Sequence, residues 1–241
     1  MSERAFGVIV PSSNRVVERT TEKVLAYFPD VAACYSRIPL HGNGKGQPVD
    51  GYDVPSLDGA IELLTHAQIE LICWNGTKGA GLGFTPDRDF CAAVKARTGL
   101  PMVSTALATL EVLRKLGARR IGMVSPLPQE SVEAMLNNFG DQGFEPVGAV
   151  GMGLTDNFAF SQVTSGEIEQ SARRLYAQCK PDSILLFNTN MRGLDSCAPL
   201  EAELGIPVLD SAAIGVWAAL SALHIDLTNA APLGKLFART S

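Results

Sequence analysis

The run Gly99-Leu-Pro-Met-Val-Ser-Thr-Ala106 comes back as Gly205-Ile-Pro-Val-Leu-Asp-Ser-Ala212, and each copy opens an apolar helical stretch. Other landmarks keep nearly the same offset. One apolar run ends at Pro11-Ser12-Ser13 and another at Ser125-Pro126. The run from Leu71 to Trp74 gives way to Asn75-Gly76-Thr77-Lys78, and that from Ile184 to Phe187 gives way to Asn188-Thr189-Asn190. Position 12 thereby aligns with 125, 76 with 188 and 99 with 205. A period this long is no solenoid repeat; it reads as two fused copies of one unit, with a site between them.

The periodicity of the unit is α/β. Residues 6–10 are a short β-branched apolar run of the kind buried in a parallel sheet. Val16, Val17, Thr20, Thr21, Val24, Leu25 and Phe28 then recur at helical spacing, with Arg15, Glu18, Arg19, Glu22 and Lys23 on the wet face. Ser12, Ser13 or Asn14 can cap that first turn, leaving backbone N–H groups free to meet an anion. Strands follow at 31–38 and 69–74, helices at 57–68 and 86–98, then the first repeated run as strand and helix. In the second half the pattern predicts helices at 107–116, 131–139 and 167–179, and strands at 119–124, 146–150, 183–187 and 207–209. Such alternation gives parallel sheets with helices on both faces and right-handed crossovers, and ligands bind beyond the strand C-termini. The expected architecture is two similar parallel-sheet α/β halves related by a pseudo-twofold duplication, with the active site in the cleft. One half is assigned residues 1–106 with 213–241 and the other 107–212, so that terminal elements are exchanged. The Gly-rich stretch 41–53, with Asn43, Lys45, Gln47 and Pro48, and its counterpart 151–165 fall outside the alternation and read as long loops, either lids or plain surface excursions.

Composition removes several function classes. With 46% apolar and 19% charged residues, the 241-residue chain has material for an ordinary buried core. A net charge of −5 with scattered basic residues speaks against nucleic acid as a partner. The N-terminal stretch lacks the basic start and apolar core of a signal peptide, and no run is long enough to span a bilayer, so no membrane partner and a cytoplasmic location are expected. Cys34, Cys73, Cys91, Cys179 and Cys197 are odd in number and unpaired in spacing, and three histidines are too dispersed for zinc; reduced thiols and no metal are the expectation.

Ile9-Val-Pro-Ser-Ser-Asn14 followed by Val16-Val17-Glu18 resembles the start of the maleate isomerase and arylmalonate decarboxylase branch of the aspartate/glutamate racemase superfamily. Ser104-Thr-Ala106 leading into Leu113-Arg-Lys-Leu-Gly117 and Arg119-Arg-Ile121 resembles the same family's mid-chain segment, and Asn188-Thr189-Asn190-Met191 sits where relatives carry a Cys-Thr-Asn-Leu type motif. With the duplication, the resemblance covers nearly the whole chain. It implies a cofactor-independent enzyme acting on a small carboxylic or dicarboxylic acid, as isomerase, decarboxylase or related lyase or hydrolase, and commonly a homo-oligomer.

The family's usual machinery is a pair of cysteines, one per half, facing each other across the cleft. Decarboxylases keep one, and maleate isomerase uses one as nucleophile. Here the first position falls at Gly76, or at Asn75 if the alignment slips by one, and the second at Asn188. A tyrosine that binds carboxylates in relatives is matched by Leu127. An amide cannot replace a thiol, because it has no accessible ionisation and offers only hydrogen bonds. The binding chemistry remains: Ser12, Ser13, Asn14, Asn75, Gly76, Thr77, Ser125, Leu127, Thr189, Asn190 and Arg192 are expected to surround the substrate, with donors on its carboxylate oxygens. Lys78 and Asn188 are the expected catalytic residues, since a desolvated lysine can work as a base or form an imine. Asp195 and Asp210 are further acid/base candidates, although Asp210 fits better as a helix cap. Two other readings stay open: a non-catalytic or regulatory carboxylate binder, and a racemase with relocated cysteines, for which Cys73 and Cys197 are nearest in sequence.

Overall fold

The repeated run folds the same way twice. Gly99 closes one helix and Gly205 another, each in the left-handed region with φ of 77° and 78°, a conformation glycine adopts without cost. Each is followed by a three-residue strand whose last residue caps the next helix: Ser104 accepts from the Leu107 N–H and Asp210 from the Ala213 N–H. The computed structural model describes residues 4–238, so 1–3 and 239–241, which belong to the first-half assignment, lie outside it.

The first sheet holds β1 (Arg4–Pro11), β2 (Val31–Ile38), β3 (Leu71–Trp74) and β4 (Met102–Ser104) in the order β2-β1-β3-β4. The second holds β5 (Arg120–Ser125), β6 (Glu145–Gly151), β7 (Ser183–Leu186) and β8 (Val208–Asp210) in the order β6-β5-β7-β8. All pairs are parallel and the two orders are identical, as the duplication requires. Register corrects one alignment. Gly7 pairs with Ile72 and Gly122 with Ile184, so Ser12 corresponds to Leu127, and Ser125 corresponds to the buried Val10.

The helices between strands are α1 (Val17–Leu25), α2 (Val54–Thr65), the short α3 (Lys78–Gly81), α4 (Thr85–Thr98) and α5 (Thr105–Lys115), then α6 (Gln129–Gly140), the short α7 (Asn157–Phe160), α8 (Ser165–Cys179), α9 (Leu194–Leu204) and α10 (Ser211–Ala222). A 3-10 segment, Leu227–Leu233, follows. Helix α2 starts and ends three residues before the sequence expectation, because Pro55 fits its first turn and Gln68 takes φ of 53°, which no helix continues. The expected long loop at 151–165 contains α7, and α9 occupies a stretch for which the alternation predicts no helix. Helix α10 is buried along nearly its whole length, packed against β3, β4 and α1 as well as α5 and β8. No described helix is long and apolar enough to cross a membrane.

Candidate functional site

Parallel strands bring all their C-terminal ends to one edge of each sheet, and the turns after β1, β3 and β7 meet there. Asn14 Oδ1 accepts from the N–H groups of Val16 and Val17 at 2.8 and 2.9 Å, so of the three expected capping candidates Asn14 turns the chain into α1, while the cap position itself is Val16. Its amide nitrogen donates across to Thr189 Oγ1 at 3.3 Å. Asn190 returns the link: its Oδ1 accepts from the Arg15 N–H at 2.8 Å, and its Nδ2 donates to the Asn157 carbonyl. The two halves therefore face each other, stitched by amide side chains.

Between them lies a cavity of about 360 Å³. Asn14, Gly76, Thr77, Lys78, Leu127, Asn188, Thr189 and Asn190 line it, which brings together eight of the thirteen residues picked from the sequence. The other five lie elsewhere. The hydroxyls of Ser12 and Ser13 donate to the Leu40 carbonyl. Asn75 is wholly buried, donating to the Ala212 carbonyl at 3.0 Å and accepting from the Thr105 hydroxyl at 3.2 Å, so it ties β3 to the start of α10. Ser125 is enclosed with its hydroxyl unpartnered. Arg192 borders a separate, smaller cleft with Arg19, Lys23 and Asp195, where Lys23 pairs with Asp195.

The roof comes mainly from the two long loops expected at 41–53 and 151–165, whose residues are not among the thirteen expected site residues. Leu40, Gln47, Pro48 and Val49 come from the loop before α2, and Thr155, Asn157 and Phe160 from the loop around α7. The loops touch where the Asn157 N–H donates to the Gly42 carbonyl at 2.9 Å. Their length and glycine content were the available signal; which side chains point inward is set by tertiary contacts.

Among the described residues, Lys78 is the only ionisable side chain lining the cavity. Its ammonium donates to the Pro48 carbonyl and sits 5.6 Å from the centre of the Tyr52 ring. Partial burial pulls its pKa below the ordinary lysine value, with Asp50 opposing. The N–H groups of Gly76, Thr77, Asn188 and Thr189 donate to no acceptor among the described residues, which leaves two unpaired donors on each rim. One wall is the Trp74 indole. A Cβ at Gly76 would lie 2.6 Å from its Cζ2, so the ring fills the space a side chain at 76 would need. Cys73 and Cys197 are buried away from the lining, donating to the carbonyls of Gly215 and Gly193, and burial pushes both thiols well above their usual range.

Comparison with known proteins gives this geometry a context. The chain is 26% identical over 224 residues to an arylmalonate decarboxylase of Bordetella bronchiseptica, covering 91% of this chain and 90% of that one. It is 25% identical over 239 residues to a maleate isomerase of Pseudomonas putida, with 92% of each covered. Its fold superimposes with a TM-score of 0.89, at 23% identity and 99% coverage of both chains, on a mutant maleate cis-trans isomerase of Nocardia farcinica that holds a covalently bound succinylcysteine intermediate. The arylmalonate decarboxylase family model matches residues 66–237, from the turn before β3 to the last described turn, and the chain belongs to that family.

Proposed function

We propose that the protein is an enzyme that isomerises or decarboxylates a small carboxylic or dicarboxylic acid without a catalytic thiol. The observation that carries this reading is the lining itself: among the described residues it holds one lysine, four unpartnered backbone N–H groups and no cysteine, carboxylate or histidine. The N–H pairs at Gly76–Thr77 and Asn188–Thr189 bind carboxylate oxygens and stabilise the enediolate that forms when carbon loses CO2 or a proton. Lys78, part-desolvated, gives its proton to that carbon or takes one from it; the ammonium becomes an amine in the first case and the reverse in the second. Asn188 Oδ1 accepts from the Asn190 N–H at 2.9 Å, which orients its own amide at the rim. The family membership supports the substrate class.

The test is a screen of the unmodified protein with malonates, maleate and hydroxy acids, followed by solvent deuterium uptake and mass change. Lys78→Ala is expected to lower kcat by about a hundredfold or more, whereas iodoacetamide leaves turnover intact. Loss of turnover on alkylation would instead favour a relocated-cysteine racemase. One contact favours a second reading: because the Lys78 ammonium is engaged by the Pro48 carbonyl, it can serve as a latch in a carboxylate binder that performs no turnover. Binding of these acids with no proton exchange would select that alternative.

A further inference from the structure

Tyr52 does not line the cavity, yet three of the features that shape it converge on this one side chain. It stands at the end of the roof loop, just before α2. Its hydroxyl donates to Asp87 Oδ1 and accepts from the Trp74 Nε1–H at 3.3 Å. The Tyr52 and Trp74 rings meet edge to face, with centroids 5.9 Å apart and planes at 86°, and Phe90 packs at 5.6 Å. The Lys78 ammonium lies over the ring, 5.6 Å from its centre, while donating to Pro48 of the same loop. Asp87, 0% exposed, anchors the set from α4, and its second oxygen has no hydrogen-bond partner.

We propose that Tyr52 is a positioning residue: its ring holds the Lys78 ammonium, and its hydroxyl, anchored on Asp87, fixes the Trp74 indole that forms the wall over Gly76. Packing alone does not account for the arrangement. A phenylalanine would fill the same volume without burying a hydroxyl against a carboxyl, and burying those polar groups costs free energy that the two hydrogen bonds of the Tyr52 hydroxyl offset only in part, since Asp87 keeps one oxygen unpartnered. The network spans the roof, the wall and the lining's lysine, so a shift of Tyr52 moves the charge partner and the apolar boundary together. The inference rests on the reading that the cavity takes a carboxylate with Lys78 as its counter-charge.

Tyr52→Phe, Tyr52→Ala and Asp87→Asn test it through two independent readouts. The first is the indole N–H resonance of Trp74, with the chain's other tryptophan, Trp217, as internal reference. The second is calorimetric affinity for maleate. In Tyr52→Phe and Asp87→Asn the Trp74 N–H signal is expected to shift and exchange faster with solvent while Trp217 stays unchanged. Tyr52→Phe keeps the ring under Lys78 and should bind maleate within about twofold of the unaltered protein, whereas Tyr52→Ala should bind about tenfold more weakly. An unchanged Trp74 signal in Tyr52→Phe, or undiminished affinity in Tyr52→Ala, overturns the proposal. If the unaltered protein binds no maleate, the carboxylate reading fails for that acid but positioning is still decided. The indole signal and the rate at which Lys78 is acetylated by an activated ester then report it, that rate rising about fivefold or more in Tyr52→Ala if the ring shelters the amine. An unaltered acetylation rate sinks it.

Discussion

At Gly76 the absent side chain is as informative as any present one. The Trp74 ring stands where a Cβ would project, and because Trp74 is held by Tyr52 and flanked by a close-packed strand, it has little room to retreat. Gly76→Ala is therefore expected to lower stability by about 1–3 kcal/mol, the usual cost of overpacking, read as a reduced urea midpoint. Adding Trp74→Leu should recover most of that loss, because it removes the ring carbons in conflict. If Gly76→Ala is as stable as the unaltered protein, the indole is not the rigid wall described above. The same contact separates this rim from one built around a thiol: with Trp74 in place, position 76 can offer its N–H and nothing longer.

Among elements, the joint between the halves depends on asparagines in turns, whose amides donate and accept at once. Asn190 accepts from the Arg15 N–H after β1 and donates to the Asn157 carbonyl at the start of α7. Asn190→Ala removes the acceptor of that part-buried N–H and is expected to cost about 1 kcal/mol, with faster amide exchange at Arg15; Asn190→Asp, which keeps the acceptor, should restore slow exchange there. Equal exchange in all three proteins would show that the bond does not hold the joint. Elements of this kind were legible in unequal measure. The apolar runs of β1, β3, β5 and β7 are continuous and flanked by turn residues, so they are read directly, as are the two repeated runs that begin at Gly99 and Gly205. Helix α9 was missed although Leu194, Cys197 and Leu200 keep helical spacing, because Pro199 and Gly193 read as breakers. Matching Ser12 to Ser125 by residue type overlooked strand register, which only the pairing of Gly7 and Gly122 with their β3 and β7 partners reveals. The rim residues were legible because strand ends face the cleft. Tyr52 and Asp87 lie 35 residues apart with no pattern to join them, so their pairing is a property of the tertiary fold.

For the molecule as a whole, the most consequential buried charge is the cap of α10, the helix that packs against both sheets. Asp210 is buried with one oxygen accepting from the Ala213 N–H and the other unpartnered, and burial raises its pKa to about 7. The titratable groups that act on it or feel its charge are Asp195 and Cys197 of α9, neither of them cationic; Asp195 raises its pKa further, and backbone N–H groups of Ala213, Gly193 and Ala212 oppose the rise. In the unfolded chain the same carboxyl releases its proton near its ordinary value of 3.8. Between those values the native state holds a proton that the unfolded state has lost, so this group's contribution is complete below about pH 4, declines as pH rises through the interval and levels off above about pH 7. Asp210→Asn keeps the acceptor for Ala213 and cannot ionise. The stability of that variant relative to the unaltered protein should therefore improve by something of the order of 4 kcal/mol between pH 4 and pH 7.5, measured by urea unfolding at stepped pH. Exposed pairs such as Arg4–Glu70 are common to both proteins and cancel in the difference. Parallel stability curves would mean that Asp210 ionises in the native state as it does in the unfolded chain, with α10 tolerating a buried carboxylate at its first turn throughout the range.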